Sequence, residues 1–369
     1  MPLTKLHIGQ VLDAADMDWS QIDPSIMGTL FERGLDPDKR SQLGAHYTDA
    51  EKIMKIIEPV IKRPLEAEWA ETKAQIEAQL AKAQTSKGAS ARTKARNDAE
   101  KLFKAFLDRL RHFRVLDPAC GSGNFLYLAL QTLKDLEHRA GIEAEALGLP
   151  REFPRVGPEQ LLGIEINPYA AELARVSVWI GEIQWMQRNG FGIAKNPILR
   201  PLETIECRDA LLNDDCSEAE WPASDVIIGN PPFLGDKDFY EILGQDYATK
   251  LRTAYGPMIP RAVNLVSYWF AKASIVLDGA ATRVGLVATN MIRSGSNQMT
   301  LGKILQRHPA FDAWSDEPWV VDGADVRVSI VCFGNPSDIE KKTEWRSCPY
   351  NFCGPNLRRY GCYACLPAI

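Results

Sequence analysis

Val115-Leu116-Asp117-Pro118-Ala119-Cys120-Gly121-Ser122-Gly123-Asn124-Phe125 decides the fold: a short apolar strand runs into a glycine turn, and the turn opens a helix. Glycines 121 and 123 let a ligand approach the main chain closely. In a doubly wound sheet such a turn lies beyond the carboxyl ends of the strands, where a nucleoside-like cofactor binds. Many strand-to-helix turns carry glycine for packing alone, so the surrounding pattern has to support the reading.

Outward from this stretch, strand and helix alternate. Strands are predicted at 114–118, 161–166, 225–229 and 284–289, and helices at 124–136, 169–186 and 265–276. This order predicts an α/β fold with a doubly wound, mainly parallel sheet. The β-branched pieces at 311–313 and 326–333 are expected to complete the sheet as an antiparallel pair. No internal repeat is apparent.

The strand after the glycine turn ends in Glu165, whose carboxylate can accept both hydroxyls of a ribose. The next strand end, Cys207-Arg208-Asp209-Ala210-Leu211, offers Asp209 as an acceptor for an adenine amine. Each acid taken alone is an ordinary strand-end residue. In order, and followed on a fourth strand end by Asn230-Pro231-Pro232-Phe233, they form a constellation that chance does not readily produce.

The Asn230 to Phe233 turn carries its own chemistry. The prolines fix their φ angles and bias the residue before each towards extended geometry, which makes the turn stiff. The Asn230 side-chain oxygen and a main-chain carbonyl can both accept from one exocyclic NH2, while Phe233 offers a flat face for stacking. The bland alternative is a rigid turn with a core ring; the upstream cofactor elements favour the functional one.

Other chemistries are excluded in turn. Gly123 is followed by Asn124-Phe125-Leu126, so the three-glycine dinucleotide spacing is absent, and no Gly-Lys-Ser/Thr follows as a phosphate loop requires. Cytosine-C5 transfer needs a thiolate, normally in a Pro-Cys turn, and no Pro-Cys dipeptide occurs. No convincing Pro-Asp…Glu-x-Lys nuclease arrangement is seen.

With 369 residues and 45% hydrophobic content the chain can bury a full core with material to spare. A net charge of -5 argues against indiscriminate polyanion binding but permits local basic patches. No apolar run is long enough to cross a bilayer and the first residues lack a signal-peptide layout, so the expectation is a cytoplasmic protein without membrane contact.

Three regions are expected: an N-terminal helical cap and basic hairpin (1–113), a catalytic core (114–334) and an irregular tail (335–369). Short helices are read around Phe31-Glu32-Arg33 and at 49–61, with a helical hairpin from 66 to 113 broken at 85–90. Its second arm carries Lys87, Arg92, Lys94, Arg96, Lys101 and Lys104, either as a solvated face or as a contact for DNA phosphates. Of the eight cysteines, Cys348, Cys353, Cys362 and Cys365 crowd the tail. Only the last two have a good zinc-ligand spacing, and no metal site is expected.

Together these elements resemble an S-adenosylmethionine-dependent DNA adenine-N6 methyltransferase of restriction–modification and phage-defence systems, over about residues 44–334. The resemblance is closest to fused restriction enzymes in which a methyltransferase core precedes a target recognition domain. It implies S-adenosyl-L-methionine as cofactor and a class I, Rossmann-like core. Tyr47 and Thr48, in Gly44-Ala45-His46-Tyr47-Thr48, would close over the methionine part of the cofactor. Asp117, Pro118, Ala119, Gly121, Gly123 and Phe125 would surround that moiety, Glu165 the ribose and Asp209 the adenine, and Asn230, Pro231, Pro232 and Phe233 would hold the target base.

The implied partner is double-stranded DNA with an adenine extruded from the stack, and also a separate target recognition or restriction subunit. Residues 335–369 are too few to build a recognition module, and the tail reads as a truncated or frame-shifted end. Two rivals follow: a remnant or partner-dependent subunit that binds cofactor, and an RNA or protein-glutamine N-methyltransferase, since those targets are also planar nitrogens.

Overall fold

The computed structural model describes residues 4–15, 50–192 and 201–335, apart from 257, 261, 280, 322 and 323. The readings at Phe31, at Tyr47 and Thr48, and at the cysteine-rich tail therefore lie outside the described residues.

Seven strands form one sheet in the order β3-β2-β1-β4-β5-β7-β6. The strands are β1 (Val115–Asp117), β2 (Leu161–Glu165), β3 (Ile205–Cys207), β4 (Val226–Gly229), β5 (Arg283–Thr289), β6 (Ala310–Val321) and β7 (Ala324–Gly334). The first five in space run parallel, β7 is antiparallel to β5, and β6 closes the edge against β7. The predicted alternation and the antiparallel ending are both found. The final pair is much longer than the apolar fragments 311–313 and 326–333, because its outer half is polar and aromatic and breaks register between Trp314 and Glu317.

Successive residues face opposite layers, as the two-residue strand period requires. Val115, Leu161, Val226 and Ile228 join one buried cluster, while Leu116, Leu162, Ile227, Val284 and Leu286 join another on the opposite face. Both faces are covered, which is why the parallel strands read as unbroken apolar runs.

The first layer holds helices α2 (Ala50–Ile57), α3 (Arg63–Thr85), α4 (Ala89–Arg111), α5 (Asn124–Ala146) and α6 (Pro168–Arg188). A helix α1 spans Lys5–Ala15. The expected gap between the helix at 49–61 and the hairpin from 66 is absent: a π turn at Glu58–Lys62 links α2 to α3 without a break. Pro59 and Pro64 open the π turn and α3, and inside this continuous run each removes one N–H donor from the helical ladder. The α3–α4 hairpin is as predicted, and Trp69 packs on Phe106 at 4.9 Å within the core shared with the sheet.

The second layer contains α7 (Asp236–Leu243), α8 (Gln245–Tyr255), α9 (Val266–Leu277) and α10 (Gly295–Arg307). Sequence reading found α9 but missed α7, α8 and α10. Among the described residues no helix is long and apolar enough to cross a membrane.

At the amino ends of the strands one residue draws several elements together. Asp225 accepts from Arg109 Nη1 at 2.9 Å and from the Arg114 N–H at 2.8 Å, and its carbonyl accepts from the Thr282 N–H at 2.8 Å. The hairpin therefore meets the sheet at the end away from the glycine turn.

Candidate active site

The chain leaves β1, builds β2 and β3 to one side, and returns to place β4 on the other side of β1. The crevice beyond the carboxyl ends of β1 and β4 is thus the topological switch point, the favoured ligand position in such sheets. The glycine turn follows β1 and Asn230 follows β4, so the two stretches singled out in the sequence emerge side by side.

Asp117 ends β1 and is 1% exposed. Its Oδ1 accepts from the Ala119 N–H at 3.1 Å, while its Oδ2 is buried with no hydrogen-bond partner among the described residues. Burial, reinforced by the charge of Glu165 and opposed by the Ala119 bond, pushes the carboxyl up to about 8. A buried carboxylate oxygen without a donor is costly and is a natural seat for a cationic ligand.

The turn itself divides in function. Gly123 has φ +87°, and a Cβ there would lie 2.9 Å from the Ala174 main chain, so this glycine serves helix packing. Gly121 has φ +53° and faces open space, so it leaves the main chain accessible. Ser122 is buried, and Asn124 Oδ1, at the start of α5, is a second buried oxygen without a partner.

Glu165 holds the turn in place: its Oε2 accepts from the Gly121 N–H at 2.9 Å and its Oε1 from the Asn167 N–H at 2.8 Å. Burial raises its pKa despite these bonds. Each oxygen keeps a lone pair for a hydroxyl. Beside it Ile166 is 60% exposed at the strand tip, an apolar platform that sequence reasoning missed. Asp209 Oδ1 accepts from the Leu211 N–H at 2.7 Å, and its Oδ2 accepts from the Tyr247 hydroxyl at 2.8 Å.

Asn230 and Pro232 are half-buried and Pro231 is buried at the tip of β4, and Phe233 packs partly against both core clusters. Pro118 and Ala119 border the same crevice, and the Pro118 carbonyl accepts from Trp269 Nε1 at 3.4 Å. Phe125, on the first turn of α5, is 4% exposed and faces the core, apart from the open rim. The structure thus gathers Asp117, Pro118, Ala119, Gly121, Gly123, Glu165, Asp209 and Asn230 to Phe233 along one set of strand tips, with Phe125 behind them.

A model of the MmeI DNA-methyltransferase domain matches residues 92–344. The chain belongs to the MmeI DNA-methyltransferase domain family. It is similar to DNA methyltransferase A of Bacillus subtilis (strain 168), 28% identical over 332 residues that cover 86% of this chain and 34% of the relative. Over 84 residues it is 34% identical to a putative type II restriction enzyme and methyltransferase of Methanocaldococcus jannaschii, covering 22% of this chain and 7% of that one. The chain therefore spans about a third or less of the curated relatives it matches.

Among solved structures, the type IIL restriction-modification enzyme MmeI in complex with DNA gives a TM-score of 0.66 at 26% identity, over 90% of this chain and 42% of that one. The DrdV–DNA complex gives 0.53 at 15% identity, over 91% of this chain and 31% of that one, a likeness of fold. The class I methyltransferase fold implied by the resemblance is the fold found.

The residues at the strand tips fit S-adenosyl-L-methionine. The donorless Asp117 oxygen suits its cationic methionine end, the open Gly121 main chain admits close approach, and Glu165, Ile166 and Asp209 offer acceptors and an apolar surface suited to an adenosine.

Proposed function

We propose that this chain is the methyltransferase part of a restriction–modification enzyme and transfers a methyl group from S-adenosyl-L-methionine to adenine N6 in double-stranded DNA. The single observation that carries this reading is the adjacency of Asp117 on β1 and the Gly229–Asn230 junction on β4. The cofactor turn and the base-accepting turn therefore open into one crevice. Membership of the MmeI family supports DNA as the substrate class.

In this mechanism Asp117 to Gly123 hold the methionine end, with Glu165 at the ribose and Asp209 at the adenine. The cofactor supplies an electrophilic methyl on a sulfonium sulfur. A paired adenine hides its amine inside the duplex, so the protein has to take the base out of the stack and hold it. Phe233 stacks on the base. The Asn230 side-chain oxygen and the Pro231 carbonyl accept the two amine hydrogens, which draws the N6 lone pair out of conjugation and aims it at the methyl.

Transfer would form the C–N bond as the C–S bond breaks, leave the bonding pair on sulfur and pass the surplus N6 proton to solvent water. Such direct in-line transfer draws on orientation and preorganised dipoles rather than a base of unusual pKa.

The test is incubation with labelled cofactor and separate DNA, RNA and protein pools, followed by nucleoside analysis. Label in N6-methyladenine of DNA is expected. Label only in RNA or protein, or in a methylated cytosine, would overturn the proposal.

A further inference from the structure

Helices α7 and α8 leave the base-accepting turn and come back to the cofactor side. The turn's exit is fixed where the Leu234 carbonyl accepts from the Leu265 N–H at 2.9 Å. On α7, Phe239 is 1% exposed and stacks on Tyr268 with ring centres 6.2 Å apart; Tyr268 in turn meets Tyr255 of α8 edge-on at 5.6 Å.

From α8 two hydroxyls then reach the segment after β3. Tyr255 donates to the Leu211 carbonyl at 3.1 Å, and Tyr247 donates to Asp209 Oδ2 at 2.8 Å. Starting from the tip of β4, the chain has thus passed β1 and β2 and tied itself to the tip of β3.

Asp209 is oriented from two sides. The Leu211 and Leu212 N–H groups fix Oδ1, and Tyr247 fixes Oδ2. With both oxygens directed, the carboxylate presents its remaining lone pairs in a set direction, which an exocyclic amine can use and a carbonyl cannot. Burial and the Asp209 charge both raise the Tyr247 pKa, so the hydroxyl keeps its proton and stays a donor.

We infer that Tyr247 is a positioning residue: it aims Asp209 at the adenine amine of the cofactor and makes cofactor binding and the placement of the base-accepting turn interdependent. This rests on the reading of the site given above. Without the hydroxyl, Asp209 loses one of its constraints, while Tyr255 still ties α8 to that segment. The Leu234–Leu265 bond and Tyr255 still hold the base-accepting turn, so the larger loss falls on cofactor recognition.

The experiment is calorimetric titration of the chain and its Tyr247→Phe variant with S-adenosylhomocysteine and with its inosine counterpart, beside steady-state methylation of DNA. For Tyr247→Phe the adenosine ligand should bind roughly tenfold more weakly, as loss of one charge-assisted hydrogen bond implies. The preference for adenosine over inosine should shrink, KM for the cofactor should rise, and kcat at saturation should stay within about twofold.

Asp209→Asn combined with Tyr247→Phe should be markedly less than additive in binding. A purely structural tyrosine would lower the melting temperature while leaving the adenosine-to-inosine ratio unchanged, and that result overturns the inference. Should the variant fail to fold, hydrogen exchange on the parent chain decides. S-adenosylhomocysteine must slow amides of 245–255 as well as 209–212, and slowing confined to 209–212 overturns the inference. A parent chain that binds the ligand but leaves DNA adenine unmethylated overturns the functional reading instead, while the binding comparison still judges Tyr247.

Discussion

A Cβ on Gly229 would lie 2.6 Å from Oδ1 of Asp117, so the carboxylate that ends β1 rests directly against the backbone that leads into Asn230. The proposed cofactor seat and base seat are thus separated by one strand spacing. Gly229→Ala would push the carboxylate aside or part the strands, at a cost of about 1–3 kcal/mol for such overpacking. Chemical denaturation should register that loss, and S-adenosylhomocysteine titration should show weakened binding in whatever fraction still folds.

The elevated pKa of Asp117 makes stability depend on pH with a definite sign. Above its ordinary value of 3.8 the unfolded chain has released this proton, whereas the native chain keeps it up to about 8. The native state binds more protons in that window, so stability falls as pH rises through it and levels off beyond. Asp117→Asn should flatten this slope in melting curves recorded across the window. A cationic ligand favours the ionised carboxylate, so cofactor affinity in the parent should tighten as pH approaches 8 and then level.

Asn230→Ala should keep cofactor binding and lose methyl transfer. Loss of one preorganised polar contact to the reacting group lowers turnover by about 100- to 1,000-fold. A titration beside a methylation assay separates the two effects.

The two turn glycines should fail differently. At Gly123 a Cβ meets both a left-handed φ and the Ala174 backbone, so Gly123→Ala should cost roughly 2–4 kcal/mol of stability. Gly121→Ala meets only the φ penalty, about 1–2 kcal/mol, yet places a methyl in the open space beside the turn. Its larger effect should appear in cofactor affinity.

Two cations of the basic arm α4 are engaged within the chain. Arg96 donates to the Gly148 carbonyl at 2.9 Å, and Lys104 pairs with Glu100 at 2.6 Å. The arm enters the sheet at the ends opposite the crevice, which favours the solvated-face reading over phosphate contact. Reversing the charge of Lys94 and Arg96 together should leave DNA affinity and its salt slope unchanged; a reduced slope would restore the contact.

What the sequence disclosed depended on how local the cause was. The β1 turn was legible because glycine and a strand-end acid are forced by backbone geometry within a few residues, and Asn230 to Phe233 because two prolines announce a stiff turn. The uninterrupted run from α2 to α3 was not, since Pro59 and Pro64 signal a stop unless a π turn is known to absorb them. Helices α7 and α8 were hidden among glycine, aspartate and lysine. Tyr247 carried no signal at all, because its partner Asp209 lies 38 residues away in sequence. Phe125 was read by its place in the turn, and only packing shows it in the core.

Asp225 knots the roots of β1, β4 and β5 to one another and to α4. Spreading β1 from β4 would first have to untie that knot. Under the proposed function, room for a swung-out nucleobase would be made by the segments at the opposite tips, with the strands themselves standing still as a fixed jaw.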